Sequence, residues 1–278
     1  MEYIEVTCHF PASQETTDRI ISVLSSTGFE GFIEEAGLLQ AYIPASEFEP
    51  GMLAALEFTF DQPQNLNITI RPIAEQNWNQ LWESSYEPVL IGETCLVRAP
   101  FHPTVDGILY DIVIEPRMSF GTAHHPTTQL MAETLLNLDL KGKAVLDMGC
   151  GTGLLAILAA KMGAGPVTAI DNDEWAFSNA KENIAKNNVA SCDVYLSDAS
   201  AIGNKRYDVI LANINRNTLL NDMLLYINGL RKNGMLVVSG FYRGDIDGIN
   251  RAAQANGMEV SESQSKGEWA SVRYFKKE

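Results

Sequence analysis

Hydrophobic positions change their period along this chain, and the change marks two regions. In the first, Tyr3-Ile4-Glu5-Val6-Thr7-Cys8 has the two-residue period of a half-buried strand, and Ile20, Ile21, Val23 and Leu24 recur at helical spacing within Thr16–Ser26. Phe29–Glu34 and Leu38–Pro44, joined by Glu35-Ala36-Gly37, predict a hairpin, followed by a short helix at Pro50–Glu57 and a strand at Leu66–Ile70. The order β-α-β-β-α-β predicts a small α+β, ferredoxin-like fold over residues 1–73. Residues 74–93 are expected as a linker helix, because Trp78, Leu81, Trp82 and Tyr86 share one helical face in Asn77–Tyr86. That aromatic face either packs on a neighbouring domain or is offered to a partner.

Residues 94–278 follow a different rule. Thr94–Ala99 and Leu109–Glu115 predict an entering pair of strands. Helical and apolar runs then alternate: helix Thr128–Leu138, strand Ala144–Asp147, helix Leu154–Met162, strand Val167–Asp171, helix Glu174–Asn187 and strand Asp193–Leu196. Strand Asp208–Asn213, helix Asn217–Leu230, strand Met235–Ser239 and helix Asp245–Asn256 continue the series. Such alternation predicts an α/β, Rossmann-like domain, a mostly parallel sheet covered by helices on both faces. Met258–Ser263 and Ala270–Phe275 flank a Ser-Lys-Gly-Glu turn, so the sheet is expected to end in an antiparallel hairpin.

Between the strand ending at Asp147 and the helix starting at Leu154 stands Asp-Met-Gly-Cys-Gly-Thr-Gly, residues 147–153. Glycines at this turn let a ligand approach the backbone and meet amide groups at a helix N-terminus. Asp171 ends the next apolar run, 24 positions after Asp147, where its carboxylate could accept from a ribose diol. The glycines Gly149, Gly151 and Gly153 run G-x-G-x-G rather than G-x-G-x-x-G, and a carboxylate precedes them. A pyrophosphate would be repelled there, whereas the ammonium of a methionine moiety would be attracted. The structural alternative is a glycine turn that only lets helix and strand pack closely.

Charge narrows the partners. The 278 residues carry a formal net charge of −15, which argues against direct nucleic-acid binding. Residues 1–74 hold eleven acids against Arg19 and Arg71, a net −9. That segment either steers a basic protein partner or is simply a solvated acidic surface. No apolar run is long enough to span a membrane, and the start of the chain lacks signal-peptide character. Cys8, Cys95, Cys150 and Cys192 lie far apart, which fits a reducing cytoplasm and gives neither a disulfide framework nor a zinc site. Cys150 reads as a small filler in the glycine loop.

Two further stretches carry candidate chemistry. Phe120-Gly121-Thr122-Ala123-His124-His125-Pro126-Thr127-Thr128 is a turn-rich loop ahead of the first nucleotide-binding strand, able to fold over a ligand; adjacent histidines without nearby partner ligands do not make a metal site. Asn213, at the end of an apolar strand and followed by Ile214-Asn215, would meet the reacting end of a cofactor. Asp198 closes another strand, where it either accepts the exocyclic amine of adenine or caps the next helix.

The glycine loop, Asp171 and Asp198 resemble the class I S-adenosylmethionine-dependent methyltransferases. The Phe-Gly-Thr-x-His-x-Pro-Thr-Thr loop, Ala212-Asn213-Ile214 and the acidic ferredoxin-like N-terminal region resemble one family more narrowly. That family is PrmA, the methyltransferases of the eleventh protein of the large ribosomal subunit. The resemblance spans essentially the whole chain. It departs at Ala123, where the family usually has glycine. It implies S-adenosylmethionine as cofactor, contacted through Thr128, Gly149, Asp171 and Asn213, with Phe120, Gly121 and Thr122 lining a lid loop; Asp147, Gly151 and Asp198 join them as candidate contacts from their positions in the sequence. It further implies N-methylation of lysine side chains and of the N-terminal α-amino group of a basic ribosomal protein bound by the N-terminal domain. The linker helix would let that domain reorient, and the enzyme would be a cytoplasmic monomer. No motif names a catalytic base; Asn213 and Asn215 are expected to orient the amine by position alone. The other readings are a methyltransferase for a small molecule or another protein, a ribosomal-protein binding module without catalysis, and a nicotinamide-dependent dehydrogenase. Stabilisation by S-adenosylmethionine, by neither ligand, or by NAD separates the classes.

Overall fold

A computed structural model describes residues 3–57, 66–73, 86–116 and 121–277. The chain divides into two compact units, Met1–Tyr86 and Glu87–Glu278.

In the first unit, strand β1 (Tyr3–His9), helix α1 (Gln14–Ser26), β2 (Gly31–Glu35), β3 (Leu38–Pro44), α2 (Ala54–Glu57) and β4 (Asn67–Ile73) follow the expected order. The sheet runs β2-β3-β1-β4 with antiparallel neighbours throughout, the ferredoxin-like arrangement. Alternation along β1 sends Val6 and Cys8 inward, against Ile20 and Leu24 of α1 and Leu39, Ala41 and Ile43 of β3. Ser13 caps α1 by accepting from the Thr16 amide. The helix expected at Pro50–Glu57 begins as a 3-10 turn at Pro50–Leu53, and β4 runs on past Ile70 because Ile73 pairs with Tyr3. The aromatic linker helix falls on residues 74–85, outside the described residues, with Tyr86 beyond it.

The second unit opens with β5 (Val89–Ile91), β6 (Cys95–Arg98) and β7 (Tyr110–Val113), a three-stranded sheet in that order. Strand β5 lies inside the span expected as linker; its backbone is paired to β6. The main sheet has seven strands: β8 (Val145–Met148), β9 (Val167–Asp171), β10 (Cys192–Leu196), β11 (Tyr207–Asn213), β12 (Leu230–Tyr242), β13 (Met258–Lys266) and β14 (Trp269–Lys276). Their order is β10-β9-β8-β11-β12-β14-β13, parallel from β10 to β12 and antiparallel at the β12-β14-β13 end. Helices α3 (Pro126–Leu136), α4 (Leu154–Lys161), α5 (Glu174–Lys186), α6 (Arg216–Gly229) and α7 (Ile246–Ala255) connect them. Successive residues of β8 feed two cores, Val145 packing with Ile157 and Leu158 of α4, and Leu146 with Leu219 and Tyr226 of α6. No helix among the described residues is long and apolar enough to cross a membrane.

Strand β12 is longer than the apolar run Met235–Ser239 that predicts it. Asn233 takes a left-handed φ of 60°, and a Cβ on Gly234 would lie 2.9 Å from the Arg231 carbonyl oxygen. The strand therefore begins in a polar, kinked segment that hydrophobicity does not register.

Candidate functional site

The chain leaves β8 toward β9 and β10 on one side, then returns to place β11 on the other. The carboxyl ends of β9, β8 and β11 thus surround the point where strand order reverses, the usual ligand crevice of an open α/β sheet. These ends carry Asp171, Asp147 and Asn213, three of the residues singled out in the sequence.

The glycine loop is left-handed at Gly149 (φ 69°), Gly151 (φ 54°) and Gly153 (φ 79°). Amides of Gly149 and Cys150 donate to the Ile170 carbonyl, and the Gly151 amide to Asp171 Oδ2 at 2.9 Å. Asp171 Oδ1 accepts from the Asp173 amide at 3.1 Å. Asp147 is 1% exposed; its Oδ2 accepts from the Ala156 amide in the first turn of α4, while Oδ1 has no hydrogen-bond partner among the described residues. Burial, opposed by the Ala156 amide and helped by the Asp171 charge, pushes its carboxyl up to about 7. Asn213 Nδ2 lies 3.4 Å from Thr128 Oγ1, and its buried Oδ1 is likewise unpartnered. Two acceptors on adjacent strands are thus left open at the same end of the sheet.

The loop before α3 meets this end. Gly121 (φ 107°) presents its carbonyl to Thr152 Oγ1 at 2.7 Å. Thr122 Oγ1 lies 3.3 Å from His124 Nδ1, and His124 Nε2 3.0 Å from the Glu87 carbonyl oxygen. Ala123 is buried with φ 71°, a conformation that favours glycine, and its carbonyl accepts from Gln129 Nε2. His125 caps α3 through the Thr127 amide and stacks edge-on against Trp269 at 4.6 Å. No metal-holding cluster occurs among the described residues. Phe120 lies outside them.

Two expected site residues have capping duties. Asp198 Oδ1 accepts from the Ser200 amide at the start of a 3-10 turn; hydrogen bonds from Ser200 lower its carboxyl below the usual range. The capping bond occupies one carboxylate oxygen of an exposed side chain. Asn215 Oδ1 accepts from the amide and hydroxyl of Thr218 and begins α6, which commits its carbonyl oxygen to the helix.

Several neighbours of Ile214 and Asn215 were not singled out in the sequence. Gly240 packs on Ile214, a contact that a glycine inside a strand can signal. Beside Asn215 a pocket of about 310 Å³ is lined by Arg216, Gly240, Tyr242, Asp245 and Trp269. The Tyr242 and Trp269 rings lie 4.4 Å apart, and Arg216 pairs with Asp245 at 3.1 Å.

The family model described as Ribosomal protein L11 methyltransferase (PrmA) matches residues 7–277. The ribosomal protein L11 methyltransferase of Phocaeicola vulgatus is 42% identical over 281 residues, spanning 100% of both chains. That of Porphyromonas gingivalis is 45% identical over 262 residues, 92% of this chain and 90% of the relative. Among solved structures, the ribosomal protein L11 methylase of Lactobacillus delbrueckii subsp. bulgaricus superposes with a TM-score of 0.65 at 26% identity, covering 69% of this chain and 100% of the other.

Proposed function

The chain belongs to the ribosomal protein L11 methyltransferase (PrmA) family, and from that membership we propose that it methylates lysine side chains and the N-terminal α-amino group of protein L11. It is an S-adenosylmethionine-dependent protein methyltransferase. The observation that carries the reading is the pair of unpartnered acceptors, Asp147 Oδ1 and Asn213 Oδ1, at the ends of adjacent parallel strands.

The residues present fit the cofactor. Asp147, raised toward neutrality by burial, would be held ionised by the ammonium of the methionine end. Asp171 would accept from the ribose hydroxyls through lone pairs its two backbone contacts leave available. Asp198, exposed apart from its cap, would accept from the adenine amine. Gly149 and Gly151 allow close backbone approach, and Thr128, Gly121 and Thr122 would border the ligand. Bound there, S-adenosylmethionine supplies a methyl group already activated by its sulfonium.

The chain's own residues then have to align a neutral amine and exclude water. Lysine starts near pKa ~10.4, and desolvation in a closed crevice lowers it. Asn213 Oδ1 would accept one amine N–H and aim the nitrogen lone pair; Asn215, occupied as a cap, would act by fixing the start of α6. The pocket beside Tyr242 and Trp269 offers an amine-bearing side chain a route past Asn215. A ribosomal substrate assigns the enzyme to the cytoplasm, and a monomer suffices for this chemistry.

Labelled S-adenosylmethionine, the purified chain and unmethylated L11 test the reading. Label on L11 lysines and on its N-terminal residue, located by mass spectrometry, is the expected result. Cofactor binding with no label on L11 would instead leave a methyltransferase for a small molecule or another protein.

A further inference from the structure

The glycine loop presents a mechanical difficulty. Gly151 and Gly153 flank Thr152, and glycines impose little shape of their own. A loop that offers its backbone to a ligand gains affinity by being held in the bound shape beforehand. Hydrogen bonds from outside the loop must therefore set it.

Ile170 and Asp171 hold its first amides, and one buried side chain supplies the bond to the Thr152 carbonyl. Asn183 of α5 is 0% exposed. Its Nδ2 donates to the Thr152 carbonyl oxygen at 2.9 Å and to Asn179 Oδ1 at 2.8 Å, and its Oδ1 accepts from the Glu115 amide at 2.9 Å. Thr152, also 0% exposed, passes the constraint on, since its Oγ1 donates to the Gly121 carbonyl oxygen. A single amide thus ties α5 to the chain after β7 and to the glycine loop, and through Thr152 to the loop before α3.

One turn on, at the C-cap of α5, Asn187 makes a similar latch with a different reach. Its Oδ1 accepts from the Val113 amide, and its Nδ2 donates to the Val113 carbonyl oxygen and to the Asn183 backbone carbonyl; none of these bonds touches the glycine loop. The molecule therefore contains its own control.

We propose that Asn183 is a positioning residue for the cofactor, holding the glycine loop in its binding shape through Thr152. The proposal rests on the reading that this loop holds S-adenosylmethionine. Thr152 and Asn183 touch the loop and its neighbours rather than the reacting atoms, so their loss acts on cofactor affinity before chemistry.

Calorimetric titration of the full chain with S-adenosylmethionine, alongside thermal unfolding, tests it. Thr152→Val, which keeps shape and loses the donor, should raise Kd about tenfold, while Thr152→Ser stays within about twofold of the parent. Asn183→Asp keeps the acceptor for Glu115 and loses the donor to Thr152; where it folds, it should weaken binding at least as much. KM for L11 should not move with Thr152→Val. Asn187→Ala should lower Tm and leave cofactor Kd within about twofold. Parental affinity in Thr152→Val removes the relay from Thr152 to Gly121, and parental affinity in Asn183→Asp overturns the proposal. So does an Asn187→Ala variant that binds as poorly as Asn183→Asp, because both asparagines would then be structural latches alone. A parent chain that binds no S-adenosylmethionine would instead sink the cofactor assignment.

Discussion

The two oxygens of Asp147 have unequal surroundings, one on the Ala156 amide and one without a partner among the described residues, and the consequence is a dependence of stability on pH. Burial raises its pKa in the folded chain to about 7, whereas an unfolded aspartate titrates near ~3.9. Between those values the folded chain keeps a proton that the unfolded chain has lost. Stability contributed by this group is therefore full below the unfolded value, falls as pH rises through the window, and levels off above about 7. The loss is on the order of a few kcal/mol. Asp147→Asn keeps an acceptor for Ala156 and removes the charge. Ligand-free, it should melt above the parent at pH 8 and converge with it at low pH, while S-adenosylmethionine binds at least about tenfold more weakly for want of a counter-charge. A parent that gains stability over the variant between pH 5 and pH 8 would mean the carboxylate is stabilised in its ionised form. The sequence located this residue from its position between an apolar strand and the glycines. Its missing partner depends on three-dimensional packing and could not be read there.

At the scale of elements, the turns leaving β8 and β11 and the end of β12 converge on Ile214. A Cβ on Gly149 would lie 2.4 Å from Ile214 Cγ2, and one on Gly240 2.2 Å from the Ile214 carbonyl oxygen. Both positions have φ that disfavours other residues, but the obstacles differ: one is a methyl group, the other backbone. Gly149→Ala and Gly240→Ala should each destabilise by about 3 kcal/mol or more, combining overpacking with left-handed strain. Adding Ile214→Ala should recover part of the loss for Gly149 and none for Gly240, as read by urea unfolding. Equal rescue would mean the Ile214 backbone yields. The strand-helix alternation around these turns was legible because buried parallel strands are apolar runs; Val167–Asp171 appears with the expected bounds. The misses have local causes. Helix α3 starts at Pro126 rather than Thr128, because His125 caps it and proline needs no amide partner in a first turn. Asn215 and Asp198, which stand where ligands gather at the ends of parallel strands, also cap the element that follows, a second duty that the sequence position alone does not separate from the first.

Across the whole molecule the uneven charge was legible from composition, but which acids face solvent was not. Glu5 lies 6% exposed, paired with Arg71 at 3.1 Å and reached by the Tyr42 hydroxyl, so it belongs to the N-terminal unit's own architecture. Glu34, Glu35, Glu47 and Glu49 are exposed. Isolated surface charges contribute little to folding, so reversing all four to lysine should leave Tm nearly unchanged. Their effect on a basic partner is of longer range: screening sets in over ~8 Å at physiological salt, and attraction acts mainly on encounter rate. The parent's kcat/KM for L11 should therefore fall as salt rises from about 50 to about 300 mM, while KM for S-adenosylmethionine stays constant. The four-fold reversal should lose about tenfold in kcat/KM at the low end of that range and draw level at the high end. A reversed variant as active as the parent at low salt would mean these acids only solvate the surface, and that L11 is recognised through contacts that charge does not steer.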